Sequence, residues 1–234
     1  MTATTITAVG STPDRSGHRW ARAFAFWLAS YRRVWRGSVF EGFVSPLFFL
    51  AAMGFGLGLL VDAGPDGGMG GVSYVQFIAP GILAAQAMNT AVGESTYPVL
   101  GGVKWFRQYH AMLATPLRIP DVVLGHLAFV LMRVAITSAA FLLVAWLLGA
   151  IGSLWSVLAL PVAVLCGMAY ATPVFAFSAR QDHDSGFALL FRFAIMPMFL
   201  FSGTFFPIDQ LPAALQPVAW VTPLWHAVEL CRAL

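Results

Sequence analysis

Charged side chains are scarce in this sequence, and so are lysine and cysteine. Only 10% of its 234 residues are Asp, Glu, Lys or Arg, whereas 59% are hydrophobic; soluble domains average roughly 25% charged residues. A soluble fold of this length leaves roughly a third of its unfolded surface exposed to water, and so few polar residues could not cover that surface. The composition excludes a cytosolic globular enzyme, a disordered chain and a collagen-like fibre. It predicts an all-α, polytopic membrane bundle.

The sequence also lacks the motifs that would indicate catalysis or metal binding. No phosphate-binding loop surrounds Lys104, the single lysine, and neither H-E-x-x-H nor a Cys/His metal spacing is present. We interpret the Gln-Asp-His-Asp run at 181–184 as a solvated loop, and His110, His126 and His226 lie at different predicted membrane depths. We therefore expect no catalytic residue, no bound metal and no cofactor in this chain.

Five apolar segments approach or reach the length of a membrane crossing, which takes about 20 residues. They lie at about 43–61, 75–100, 122–148, 155–178 and 187–206. The uncharged stretch between Arg133 and Arg180 is too long for one crossing, and Gly149, Gly152 and Ser153 interrupt it, which predicts two helices joined by a short turn. Residues 1–17 have no apolar core and are predicted to form a flexible cytoplasmic tail.

Basic residues near the ends of these segments predict the orientation in the membrane, because cytoplasmic loops are enriched in Lys and Arg. Ten of them lie on one predicted side: Arg15, Arg19, Arg22, Arg32, Arg33, Arg36, Lys104, Arg107, Arg118 and Arg180. The opposite loops, at 62–74 and 149–154, have none and contain Asp62 and Asp66. We predict a cytoplasmic N-terminus, with the segment after residue 206 outside.

Residues 18–37 are predicted to form an amphipathic helix in the plane of the membrane interface. One face has the apolar residues Trp20, Phe24, Trp27, Leu28, Tyr31, Val34 and Trp35, and the other has Arg19, Arg22, Arg32, Arg33 and Arg36. Such a helix is either a membrane anchor or a lever on the cytoplasmic surface, joined to the first span at 37–42.

A second amphipathic helix is predicted at 104–115, between the second and third spans. Trp105, Tyr109, Met112 and Leu113 share one face of it, Lys104 and Arg107 point away from that face, and Pro116 ends it. Such a helix could dock into the groove of a soluble partner or rest on lipid headgroups, and periodicity favours neither.

Two charged residues lie inside predicted spans. Arg133 is well within the third span, where a charge costs about 2.5–3.5 kcal/mol on insertion scales, and Glu94 in the second span is its candidate partner. The pair is either a structural ion pair or part of a substrate path. Beyond the fifth span, Pro207, Pro212, Pro217 and Pro223 predict short broken helices at, or dipping into, the outer surface.

From about residue 20 to residue 234, the sequence resembles the permease subunits of ABC-2 type (type V exporter) ATP-binding cassette transporters, especially the daunorubicin-resistance and nodulation lipo-oligosaccharide export permeases. The resemblance rests on Phe201-Ser202-Gly203-Thr204-Phe205-Phe206-Pro207, on Leu211-Pro212 and Leu215-Gln216, on the run Thr222-Pro223-Leu224-Trp225-His226 that continues to Arg232, and on Met112-Leu113-Ala114-Thr115-Pro116-Leu117 in a cytoplasmic loop.

This resemblance implies a non-catalytic bacterial plasma-membrane subunit that forms the path for an amphipathic substrate, which is a drug, a lipid, a lipo-oligosaccharide or a polysaccharide. Its implied partners are an ATP-binding cassette ATPase subunit, a second permease subunit and the lipid bilayer, without nucleic acid. The family has six spans, so we expect the sixth to be missing where the chain ends after Arg232.

The resemblance also implies roles for three groups of residues. Residues 18–37 match the family's interfacial connecting helix, and the segment 207–226 matches its external re-entrant helices, with Ser202, Gly203, Pro207, Pro212 and Pro223 as motif residues. The segment 104–115 matches the ATPase-coupling helix, which implies docking roles for Lys104, Trp105, Phe106, Arg107, Tyr109, Met112 and Leu113.

Two alternative functions remain at this point. One is an ion- or proton-coupled secondary transporter that uses Glu94 and Arg133 as a relay. The other is a membrane-embedded enzyme, which the absence of a convergent set of polar residues disfavours.

Overall fold

The structure, a computed structural model, describes residues 18–64, 72–151, 154–205, 207–210, 212 and 216–234. The predicted tail at 1–17 lies outside these residues, as do Arg15, Asp66, Gly152, Ser153, Phe206, Leu211 and Leu215. Every regular element of the described residues is a helix, as the composition predicts.

The long helices are α1 (Arg19–Ala52), α3 (Tyr74–Ser95), α6 (Ile119–Leu147) and α7 (Ala159–Ala179). The shorter ones are α2 (Leu59–Asp62), α4 (Tyr97–Leu100), α5 (Gln108–Leu113), α8 (Ser185–Leu190), α9 (Met196–Phe201), α10 (Gln216–Val221) and α11 (Pro223–Arg232). Wider π-helical turns lie at Met53–Gly58, Gly101–Trp105 and Phe191–Ile195, and 3₁₀ turns at Leu154–Leu158 and Ile208–Gln210.

Three continuous helical stretches are long and apolar enough to cross a bilayer: Tyr74–Trp105, Ile119–Leu147 and Trp155–Ala179. They coincide with the second, third and fourth predicted spans. The segments predicted at 43–61 and 187–206 overlap the shorter apolar helices Leu47–Asp62 and Ser185–Phe201. As membrane crossings, these two stay predictions.

The first helix differs from its prediction, because α1 continues through 37–42 without a break. The predicted lever and the start of the predicted first span therefore belong to one helix of 34 residues. Gly37 does not end it, since a single glycine costs a helix only about 1 kcal/mol. Trp27 contacts Phe129 of α6, and Tyr31 contacts both Phe129 and Arg133, so α1 and α6 run in the same direction. The aromatic face of α1 packs along α6, where the amphipathic pattern predicted a helix lying at the membrane surface.

Helices α3, α6 and α7 form the centre of the bundle and approach each other at small residues. A Cβ added to Gly167 of α7 would lie 2.9 Å from Val134 of α6 and 3.1 Å from the backbone oxygen of Ala87 in α3. Between helices in a membrane, close packing of this kind replaces the hydrophobic driving force of soluble cores. The central glycine thus lets three helices meet at one point.

The loops predicted to share the cytoplasmic side lie at the same end of the bundle. Lys104, which follows the second span, lies with its Nζ 2.7 Å from Oδ1 of Asp182, which follows α7. Arg19 at the start of α1 donates to the backbone oxygen of Pro116 at 3.4 Å. At the other end, Asp62 accepts a hydrogen bond from the backbone N–H of Tyr74 at 2.9 Å.

The C-terminal helix α11 begins inside the bundle and returns toward that other end. Leu224, in its first turn, is fully buried in a cluster that includes Met88 of α3 and Tyr170 of α7. At its last turn, Cys231 lies 3.9 Å from the backbone oxygen of Ala159, the first residue of α7. The proline-rich stretch thus leads into a helix that starts within the bundle, and the re-entrant arrangement of 207–226 stays a prediction.

Candidate functional site

The loop between the second and third spans forms a shorter helix than the sequence pattern predicts. The pattern predicted one helix over 104–115, whereas α5 covers only Gln108–Leu113, and Lys104 and Trp105 end the preceding π-helical turn. Arg107 separates the two elements with a φ of 51°. This left-handed conformation cannot continue a right-handed helix, so hydrophobic spacing alone overestimated its length.

The same turn splits the predicted apolar face. Trp105 and Phe106 are 55% and 71% exposed, and Leu113 is 40% exposed. Tyr109 and Met112 are instead buried in a cluster with Val99, Val122 and Phe175. The exposed aromatic pair and the buried face of α5 therefore point in different directions.

The phenol of Tyr109 is connected to the second span through His126. Its oxygen lies 2.6 Å from Nδ1 of His126, whose Nε2 lies 3.2 Å from the backbone oxygen of Glu94. Burial raises the pKa of Tyr109, so the phenol stays protonated and can donate. One imidazole thus joins α5, α6 and the end of α3.

Aromatic rings enclose this imidazole. The ring of Trp27 in α1 lies 4.4 Å from that of His126, centroid to centroid, and the ring of Phe175 in α7 meets it edge-on at 5.3 Å. His126 is completely buried. Four helices therefore meet around one side chain.

Arg133 and Glu94, proposed as partners from the sequence, are in contact. Nε of Arg133 lies 2.8 Å from Oε1 of Glu94, and their side chains are 13% and 21% exposed. The Arg133 guanidinium also lies 4.9 Å from the centre of the Tyr31 ring, which is a favourable cation–π distance. The pair links α1, α3 and α6 within the depth of the predicted spans.

The residues assigned to the interfacial helix divide between buried and exposed positions. Trp27 is buried against α6, and Trp20 is exposed at the edge of that contact. Four of the five arginines of the predicted polar face are exposed, namely Arg22, Arg32, Arg33 and Arg36, and Arg19 is half-buried. Arg36 lies 5.8 Å from the centre of the Trp35 ring. Trp35, from the predicted apolar face, is itself 47% exposed, so the interfacial role of these residues stays a prediction.

The motif that begins at Ser202 and Gly203 forms a loop attached to α3. Ser202 Oγ lies 2.7 Å from Thr204 Oγ1, and Gly203 has a φ of 76°, which favours glycine. Arg232 donates from Nη2 to the backbone oxygen of Gly203 at 2.6 Å, and its guanidinium lies 4.0 Å from the centre of the Phe77 ring. Pro207 is half-buried beyond this loop, while Pro212 and Pro223 are exposed, with Pro223 as the first residue of α11.

The 181–184 loop contributes one contact to the site. The hydrogen bond and charge of Lys104 lower the pKa of Asp182, so this carboxylate stays ionised as the partner of Lys104. In the ranges that the structure describes, no group of three or more His, Cys, Asp or Glu side chains could hold a metal ion.

His126, Tyr31 and Asp182 are the residues that sequence reasoning missed. A signal for His126 was present, because Pro98 stands four residues after Glu94 and has no N–H to complete the helical hydrogen bond to the Glu94 oxygen. A carbonyl left free inside a predicted span requires another donor, and the sequence did not show which residue would supply it.

Comparison with known proteins agrees with this architecture. The family described as ABC-2 type transporter matches residues 22–234, so the chain belongs to the ABC-2 type transporter family and is a transmembrane permease subunit. Its relatives include Nodulation protein J of Rhizobium leguminosarum bv. trifolii, which is 35% identical over 215 residues, covering 89% of this chain and 80% of the relative. The proteins of the same name from Rhizobium meliloti (strain 1021) and Neorhizobium galegae are 32% and 30% identical, over 89% and 91% of this chain and 80% and 78% of theirs.

Proposed function

We propose that this chain forms the translocation path of an ATP-binding cassette exporter for an amphipathic substrate, a drug, lipid or lipo-oligosaccharide. In this proposal a separate ATPase subunit hydrolyses ATP, a second permease subunit completes the path, and the chain itself is not catalytic. Family membership and the similarity to proteins named Nodulation protein J support the proposal.

The exposed aromatic pair Trp105–Phe106 is the observation that carries the ATPase contact. Two large aromatic side chains lie exposed beside α5, where the second apolar stretch ends at Trp105, together with Lys104 and Arg107. Buried aromatic and arginine anchors dominate binding at most protein interfaces. We assign the ATPase-binding surface to Lys104, Trp105, Phe106, Arg107 and Leu113, and we assign Tyr109 and Met112 to holding α5 on the bundle.

The orientation in the plasma membrane follows from the same surface. An ATPase that uses cellular ATP must bind the cytoplasmic end, and the basic residues cluster at the end that contains Trp105. The proximity of Lys104 to Asp182 and of Arg19 to Pro116 supports one shared end for these loops. The N-terminus of α1 is then cytoplasmic and the Gly203 loop is external.

The test replaces Trp105 with Ala and measures how much ATPase subunit co-purifies and how much substrate is exported. Loss of a central aromatic anchor costs an interface 2 kcal/mol or more, which is about a 30-fold loss of affinity. Trp146→Ala is the matched control, because Trp146 is comparably exposed at 63% but lies at the opposite end, in the last turn of α6. If Trp105→Ala and Trp146→Ala retain the same bound ATPase and the same export, the assigned surface is wrong.

A secondary transporter driven by an ion or proton gradient is the second candidate, because the Glu94–Arg133 pair lies at membrane depth. Transport in sealed vesicles separates the two functions. Export that needs ATP and the ATPase subunit supports the exporter, whereas transport by this chain under an ion gradient alone supports the carrier.

A further inference from the structure

The backbone oxygen of Glu94 has no hydrogen-bond donor within the helix of the second span. In an α-helix the oxygen of Glu94 would accept from the N–H of residue 98, but that residue is Pro98. The helix α3 ends at Ser95, and Thr96 adopts φ −100° and ψ −97° before α4 begins. A buried backbone oxygen without a donor is costly, and more so where no water can replace the donor.

His126 supplies the missing donor, and this determines its tautomer. A carbonyl oxygen only accepts, so the proton between His126 and Glu94 belongs to Nε2 of the imidazole, which lies 3.2 Å away. In the neutral ring Nδ1 is then an acceptor. The hydroxyl of Tyr109, 2.6 Å from Nδ1, is therefore the donor of the second hydrogen bond.

Glu94 is held by α6 at two levels. His126 binds its backbone oxygen, and Arg133 binds its carboxylate at 2.8 Å. His126 and Arg133 are seven residues apart, which places them on the same face of α6, two turns from each other. The chain of contacts thus runs from Tyr109 on α5, through His126, to the backbone oxygen of Glu94, whose carboxylate is bound by Arg133.

We infer that His126 is a positioning residue that transmits displacement of α5 to the Glu94–Arg133 pair. This inference rests on the proposed function, in which the ATPase moves α5. The buried imidazole is enclosed by Trp27 and Phe175, so it cannot turn away from either partner without displacing an aromatic ring. Displacement of Tyr109 therefore pulls on the break between α3 and α4 and changes the contact of Glu94 with Arg133.

The test uses Tyr109→Phe, which removes only the hydroxyl, and His126→Gln, which retains an N–H donor but not the ring. Tyr170→Phe is the matched control, since it removes a buried phenol hydroxyl from α7. The first measurement is hydrogen exchange of the amides at 108–113 in the purified chain. Loss of one hydrogen bond predicts that these amides exchange about fivefold faster in Tyr109→Phe. In Tyr170→Phe their exchange rate should stay that of the wild type. If these amides exchange at the same rate in all variants, the hydrogen bond between Tyr109 and His126 does not hold α5 on the bundle, and the inference is overturned.

The second measurement is the number of ATP molecules hydrolysed per substrate exported by the assembled transporter in vesicles. Tyr109→Phe and His126→Gln are expected to raise this ratio severalfold, and the double variant no further, because both interrupt one connection. A ratio unchanged from wild type, or effects that multiply, would overturn the inference. If wild-type vesicles export without the ATPase, the proposed function fails instead, and the exchange experiment still tests the contact itself.

Discussion

Gly125 of α6 lies directly against Ala23 of α1. A Cβ built on Gly125 would be 2.5 Å from the Cβ of Ala23 and 2.9 Å from the backbone oxygen of Trp20. The two helices therefore touch almost backbone to backbone, as small residues allow between membrane helices. This contact keeps the aromatic face of α1 on α6 and places Trp27 beside His126.

Replacement of Gly125 by Ala is expected to destabilise the bundle. The new methyl group would have to push α1 away from α6, and overpacking of this kind costs about 1–3 kcal/mol. The measurement is the unfolding free energy, or the midpoint of thermal unfolding, of the purified chain in detergent. Separation of the helices would also loosen the packing of Trp27 on His126, so Trp fluorescence should change in the folded state.

Gly37→Ala is the control for this prediction. Gly37 also lies in α1, but an added Cβ would have no atom within 4 Å. Alanine favours the helix by about 1 kcal/mol over glycine, so Gly37→Ala should be neutral or stabilising. If both variants unfold alike, the backbone contact contributes nothing to stability.

Removal of one charge of the Glu94–Arg133 pair is expected to lower the unfolding free energy more than removal of both charges. Arg133→Gln leaves the carboxylate of Glu94 without its cationic partner in a site only 21% exposed. Removal of one partner from a buried pair costs about 3–5 kcal/mol, and the partial exposure here places the effect at or below the low end. The double variant Glu94→Gln with Arg133→Gln has no stranded charge and should recover part of the loss.

A double-mutant cycle of unfolding measures this coupling. The two single variants and the double variant are compared in the same detergent, and a coupling of about 1 kcal/mol or more is expected for charges in contact. Strictly additive effects would show that the two charges do not stabilise one another. Vesicle assays of the same variants then report whether either charge is needed for transport.

Cysteine labelling tests the predicted orientation. His183 and Gln210 are both exposed, at opposite ends of the bundle, and the native Cys166 and Cys231 are buried and should react slowly. An impermeant maleimide on intact cells should label Gln210→Cys and should label His183→Cys only after the membrane is opened. The reverse pattern would place the loops at 104–118 and 180–184 outside, where no ATPase could use cellular ATP.

Much of this protein could be predicted from its sequence because the membrane imposes a simple rule on composition. Long apolar runs must become helices, since an unpaired backbone in lipid is too costly, and the three central stretches were found in this way. The charge of Arg133 within a predicted span indicated that it needs an oppositely charged partner, and Glu94 is that partner. Periodicity also placed Trp27 of α1, which is buried, on the side opposite Arg22 and Arg32, which are exposed.

The sequence could not show where helices end when tertiary contacts decide it. The sequence suggests a break between two helices at Gly37. Helix α1 instead continues through this residue and packs along α6. Arg107 looks like part of a helix and is instead the turn that separates Trp105 from Tyr109. One residue in the left-handed region changes which side chains face outward, and hydrophobic spacing contains no information about it.

By itself, then, the sequence determined a helical membrane bundle and its central apolar stretches, because these follow from the local cost of placing residues in lipid or water. Only the tertiary structure decided that Tyr109 points inward while Trp105 and Phe106 stay exposed. It also decided that His126 donates a hydrogen bond to the backbone oxygen of Glu94. Those arrangements join residues 17 and 32 positions apart in the chain, and they depend on how three helices pack, which no local pattern specifies.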